Sequence, residues 1–265
     1  MTKKGGISFY ILYFPFYIVP MSGHSKWHSI KHKKALTDAK RGKVLTKHAK
    51  ILFVVGRNDP SPETNASLRT AIVNAKADNV PNDNIDRILK KLAGADKNAS
   101  QFVDQVYEGF GPDGIAILVT ALTDNQNRTL PEVKTAFAKN GGNLGSSGTV
   151  NFLFDHVGVI EVKNGEKTED ELFEMVIEAG AEDFSFGEGE SEIITQFTTL
   201  AKVRDALTHQ GVEIVKSEPQ YRAKDPKMIS SQEDLDRIEK FIGAVEEVED
   251  VDEVFAAFDV SDNLL

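Results

Sequence analysis

The spacing of apolar residues changes near residue 100, and this switch limits the fold more than any other feature of the chain. From 21 to 93 they recur at helical intervals. Val44, Leu45, His48, Leu52 and Val55 mark one helix face, and Leu68, Ala71, Ile72 and Ala75 mark a second. Ile85, Ile88, Leu89 and Leu92 mark a third, stopped by Gly94. Ser61-Pro62 reads as the N-cap and first residue of the second helix, and Asn82 or Asp83 as the cap of the third. Three such stripes predict a small three-helix unit. The polar stretch Ala95–Gln101 reads as a linker.

Beyond it, short apolar runs alternate with amphipathic stretches. Ile115–Ala121, Val150–Phe154, Val157–Val162, Val212–Val215 and Val254–Phe258 read as strands. Phe184–Phe186 and Glu192–Phe197 read as a hairpin across Gly187–Gly189. Leu130–Lys139, the stretch after the Thr168…Glu171 capping box, Leu200–His209 and the stretch after Ser231 read as helices. Residues 157–216 then spell βαββαβ, a ferredoxin-like unit. The flanking βαβ and αβ pieces predict a second, similarly ferredoxin-like unit into which the first is inserted. The expected class is α+β: a helical basic unit at 21–99, an α/β unit at 100–154 with 222–265, and an inserted α/β unit at 155–221.

Charge is divided as sharply as periodicity. The net charge is −10. Between Met21 and Arg57, however, ten Lys and Arg face one acid, Asp38. The residues after Arg57 carry −21. A basic segment on an acidic body is the asymmetry of a nucleic-acid binder whose contacts are confined to one end. Lys40, Lys43, Lys47 and Lys50 fall within about 80° of a helical wheel, opposite the apolar seam. His24, His28 and His32 recur at helical spacing and read as partners to phosphate rather than as a metal site. Trp27 is either a base-stacking ring or the core anchor of its helix.

Further motifs are less specific. Gly109–Gly114 matches G-x-G-x-x-G but precedes a strand and contains Pro112, so it reads as a turn. Gly141–Gly148 is rich in free amides suited to a phosphate, but lacks the Lys-Ser/Thr ending of a P-loop; it serves equally as a plain connection. Asp124–Thr129 ends a strand and opens a helix. There Asn125, Asn127 and Arg128 either grip a phosphate backbone or form a capped turn. The acidic run Glu246, Glu247, Glu249, Asp250, Asp252 and Glu253 could mimic nucleic acid or bind a metal, but reads first as a solvated helix end. With no cysteine, disulfides, thiolate metal sites and cysteine nucleophiles are excluded. No catalytic constellation or cofactor fingerprint emerges, so a non-enzymatic protein without cofactor or metal is expected.

Residues 1–20 stand apart. Two lysines precede an apolar run, Ile7–Val19, interrupted by Pro15 and too short to span ~30 Å of hydrocarbon. They read as an extension upstream of Met21; a signal or membrane-surface anchor is the other reading.

Ser22-Gly23-His24-Ser25-Lys26-Trp27, Ile30–Ala35 and Asp38–Lys43 resemble the YebC/PmpR family. The resemblance continues through Tyr107–Pro112, Asp124–Thr129, Gly141–Gly145 and Glu178–Asp183, and covers nearly everything from Met21 onward. It departs after Lys47, where many members have an Arg-Glu pair and a Gly-rich loop. The resemblance implies one helical and two α/β domains, the third inserted in the second. It also implies a cytoplasmic transcriptional regulator that binds double-stranded DNA. The alternative it carries is a ribosome-associated translation factor on ribosomal RNA. The residues expected to contact nucleic acid are His24, Lys26, Trp27, Lys31, Lys33, Lys34, Lys40, Arg41, Lys43 and Lys47, with Asn125, Asn127 and Arg128.

Overall fold

The computed structural model describes residues 38–93, 102–261 and 264. The readings placed on His24, Lys26, Trp27, Lys31, Lys33 and Lys34 lie outside these residues, as does the side chain of Lys40. The first described element is helix α1, Asp38–Gly56, which starts before Gly42 and runs through it. Helices α2 (Ala66–Ala77) and α3 (Asn82–Ala93) follow. Leu52, Leu68, Ala75 and Ile85 close their shared core. A Cβ on Gly56 would lie 2.7 Å from a Leu92 methyl, so glycine lets α1 end against α3.

The second helix does not start at Ser61. Ser61–Thr64 is a turn, and Asn65 caps α2: its Oδ1 accepts from the Leu68 amide at 2.9 Å. Its Nδ2 donates to the carbonyls of Val55 and Asp59, both at 2.7 Å. One side chain therefore closes one helix and opens the next.

The central sheet has the order β3-β1-β2-β9, from β1 (Val103–Phe110), β2 (Ala116–Thr123), β3 (Asn143–Leu144) and β9 (Val251–Ala256). The helices α4 (Gln126–Lys139) and α7 (Gln232–Glu246) pack on one face, where Phe137 and Phe241 meet edge to face at 5.0 Å. The other face is covered by Val150, Phe154, Tyr221 and Ala223. With both faces buried, β2 is apolar almost throughout. A short parallel pair, β8 (Lys227–Ile229) with β10 (Phe258–Val260), extends this unit.

Two elements differ from expectation. Strand β1 has no apolar run to announce it; its sequence VDQVYEGF is exposed or half-buried over Val103–Val106 and buried only at Tyr107–Gly109. Residues 151–153, expected within a strand Val150–Phe154, form a 3-10 turn instead, and the strand expected separately at Val157–Val162 starts at Phe154 and runs unbroken to Lys163 as β4. Of the glycines in 109–114, Gly111 and Gly114 belong to the expected turn between β1 and β2, whereas Gly109 lies within β1. A Cβ on Gly109 would meet the Asn143 carbonyl at 2.5 Å, so glycine lets β3 approach.

The inserted unit runs β4, α5 (Glu169–Ala179), β5 (Asp183–Ser185), β6 (Glu190–Gln196), α6 (Leu200–His209) and β7 (Glu213–Ala223). Its strand order β5-β6-β4-β7 is ferredoxin-like, as expected. The expected capping box is present. The Thr168 amide donates to Glu171 at 2.8 Å, and the Glu171 amide donates back to the Thr168 hydroxyl at 3.4 Å. Leu172 and Val176 of α5, with Val203 and Leu207 of α6, bury against Ile160, Val162 and Ile193. Strand β7 meets the helical unit through Asn74: Nδ2 donates to the Ser217 carbonyl at 2.8 Å and Oδ1 accepts from the Ser217 amide at 3.0 Å. The side-chain amide thus pairs with the strand edge as a backbone would. The fold is α+β throughout.

Candidate nucleic-acid interface

Three lysines of α1, one turn apart, lie on the turn between α7 and β9. Lys43 Nζ donates to the Val248 carbonyl at 2.7 Å. Lys47 pairs with Asp252 at 3.2 Å. Lys50 pairs with Asp250 at 2.7 Å and donates to the Leu122 carbonyl at 3.3 Å. The lysine row thus faces the acidic end of the central unit. This corrects the reading of 246–253 as a solvated helix end. Asp250 is only 3% exposed, and the chain folds its own carboxylates onto its cations.

Asp250 is the hub. Besides Lys50, it accepts from Arg128 at 2.6 Å, Thr129 at 2.8 Å and Thr123 at 3.0 Å. Burial alone would raise its carboxyl pKa. The four donors outweigh burial and hold it well below the usual carboxylate range. Arg128, from the predicted set, and Lys50, a member of the lysine arc outside that set, therefore meet at one carboxylate, while Lys43 and Lys47 contact Val248 and Asp252. Asn125 caps α4, its Oδ1 accepting from the Arg128 amide at 3.2 Å, while Arg128 also pairs with Asp124 at 3.2 Å. Asn127 is exposed in the first turn of α4, and Arg41 is exposed near the start of α1.

Burial sets the character of these lysines. Desolvation is the largest influence on Lys43 and, with Glu246 and Asp252 opposing it, leaves its pKa at about 8. Lys47 is also desolvated, but Asp252, Glu253 and Glu218 outweigh that and hold it charged. Lys50 was legible as a member of the lysine arc. Asp250 and Asp252 were visible as members of the acidic run but not as partners of the lysines, which lie about 200 residues away in sequence.

A second network joins the helical unit to the inserted one. His48 Nε2 and Asp78 Oδ2 are 2.7 Å apart; Lys216 lies 3.4 Å from Asp78 and 3.0 Å from Glu218. Burial opposes ionisation of Asp78, but His48 and Lys216 hold its pKa at about 2. Neighbouring Glu161 goes the other way. Burial, with Glu218, Glu192 and Glu190 adding to it, pushes its pKa to about 7 despite Lys216. A carboxyl raised on folding favours the fold while protonated; that contribution is complete below about pH 4.5 and is lost as pH rises through 7. Glu161→Gln should therefore add about 2 kcal/mol at pH 8 and almost nothing at pH 4.5, read from urea unfolding at the two pH values.

The end of the amide-rich 141–148 loop, with the two-residue stretch just past it, already holds an anion. The amides of Gly148, Val150 and Asn151 each donate to the Glu108 carboxylate at 2.8 Å. Burial raises the Glu108 pKa, but these three donors bring it below the ordinary value. The internal carboxylate thus takes the last amide of the loop together with two amides beyond it. Among the described residues, no group of three His, Asp or Glu side chains is arranged to hold a metal. No described helix is long and apolar enough to cross a membrane.

Comparison with known proteins places this architecture. The model of the TACO1/YebC N-terminal domain matches residues 25–95, and that of the TACO1/YebC second and third domain matches 102–258. The chain belongs to the TACO1/YebC family. A relative from Aquifex aeolicus, named a probable transcriptional regulatory protein, is 44% identical over 92% of this chain and 98% of its own. One from Corynebacterium glutamicum with the same name is 42% identical over the same shares. The crystal structure of the conserved hypothetical protein Aq1575 from Aquifex aeolicus matches with a TM-score of 0.75. It is 43% identical and covers 89% of this chain and 97% of that one.

Proposed function

We propose that this TACO1/YebC protein is a non-enzymatic cytoplasmic transcriptional regulator that binds double-stranded DNA through its basic N-terminal unit. The division expected from the sequence, 21–99, 100–154 with 222–265, and 155–221, assigns that role to the first unit. The observation that carries the reading is the row Lys43, Lys47 and Lys50 on one helix face, matched against carboxylate and carbonyl oxygens. A helix face that collects oxygen acceptors at one-turn spacing has the chemistry to collect phosphate oxygens. Lys26, Lys31, Lys33, Lys34, Lys40 and Arg41 extend the same charge, with His24 and Trp27 toward sugar or base. Asn125, Asn127 and Arg128 supply a helix N-terminus beside Lys50.

In this reading the acidic turn is a resident competitor. Phosphate reaches Lys43 and Lys47 by displacing Val248 and Asp252. Asp252→Asn removes one competing charge and should tighten DNA binding about two- to fivefold, the scale of a partly exposed ion pair. Lys43→Ala/Lys47→Ala should weaken binding and lower the slope of log K against log salt by about 2. Gel-shift titrations across salt concentrations measure both. An unchanged salt slope in the lysine variant sinks the reading. Salt-sensitive co-sedimentation with ribosomal subunits and absence from chromatin would move the target to ribosomal RNA.

A further inference from the structure

We propose that the outer edge of the inserted unit is a docking surface for a cationic polypeptide segment that presents apolar side chains. This surface lies apart from the lysine row and does not depend on the function proposed above. Helix α5 buries Leu172, Val176 and Ala179. Phe173 and Ile177 follow two of these by one position, so their side chains point about 100° away and outward. They are 48% and 55% exposed. Phe184, on the sheet-edge strand β5, brings its ring within 6.3 Å of Phe173. Phe186, 38% exposed, continues the row 6.4 Å from Phe184. Three phenylalanines and an isoleucine form one strip rather than scattered residues, and a continuous exposed apolar strip marks a contact surface.

The charge around the strip selects the occupant. From Glu166 to Glu192 the chain has eleven acids and one lysine. Asp170 and Glu174 are exposed on the same helix, beside Phe173. Such a rim repels nucleic acid and anionic lipid. It also repels a second copy of this chain, whose strip carries the same rim. A segment interleaving lysine or arginine with apolar residues satisfies both parts: its apolar groups cover the strip and its cations meet the rim.

The test uses the full chain and three short synthetic peptides, alternating Lys with Leu, Glu with Leu, and Lys with Ser, followed by amide NMR shifts. The Lys–Leu peptide should bind and shift Phe173, Ile177 and Phe184–Phe186; the other two should not. Phe173→Ser/Ile177→Ser should weaken binding about tenfold or more. Asp170→Lys/Glu174→Lys, which alters only exposed carboxylates, should do the same and keeps the test open if the first variant folds poorly. Equal binding of the Lys–Ser peptide would mean simple charge attraction and overturns the proposal. Unchanged affinity in both variants overturns it as well. So does a concentration-dependent dimer of the natural chain that Asp170→Lys/Glu174→Lys strengthens, since the strip would then serve a second copy.

Discussion

Replacing Asp250 with alanine is expected to lower stability by about 3–5 kcal/mol, the range for removing one partner of a buried ion pair. The substitution leaves Lys50 and Arg128 without their shared carboxylate and two threonine hydroxyls without their acceptor. Asp250→Asn keeps an oxygen for the threonines but not the charge, so it should recover only part of the loss. Urea unfolding at neutral pH gives both values. The wild-type chain should show the same dependence through pH. A carboxyl depressed on folding contributes stability above its unfolded pKa, near 4, and loses it as pH falls toward the folded value. The gap between wild type and Asp250→Ala should therefore shrink steadily below pH 4. A variant losing less than about 1 kcal/mol at neutral pH would remove Asp250 from its place as the hub.

Glu108→Ala should cost about 3 kcal/mol, because three backbone amides lose a charged acceptor in a buried site. This variant has a second signature. The amides of Gly148, Val150 and Asn151 would then form an unfilled anion cradle, so sulfate or phosphate should raise its melting temperature more than that of the wild type. Identical responses to the two salts in both proteins would show that the loop closes on itself once the carboxylate is gone.

These two acids mark the limit of what the chain discloses on inspection. Features fixed by neighbours within a few residues were legible. The Thr168 capping box, the hairpin across Gly187–Gly189 and the apolar stripes of α1–α3 each depend on spacing of one to four positions. The insertion was legible too, because βαββαβ fits inside the flanking elements. Strand β1 was not, since only the half of it against the core is buried and its polar half hides the run. Asn65 was passed over for Ser61 because the Ser-Pro pair matches a helix start, whereas the Asn65 cap is held by Val55 and Asp59. The lysine row was visible as a row. That it rests on carboxylates of the same molecule depends on contacts spanning about 200 residues, which no local pattern encodes.

Asn74 carries a last consequence. Its amide pairs with Ser217 on the side of β7 away from β4. An open stretch of strand margin offers hydrogen-bonding groups that an extended chain can join. At Ser217 both of those groups are taken by one side chain from the helical unit. A helix side chain that closes a strand margin thus serves as a solubility device, and removing it should leave that part of β7 open to chain-to-chain pairing.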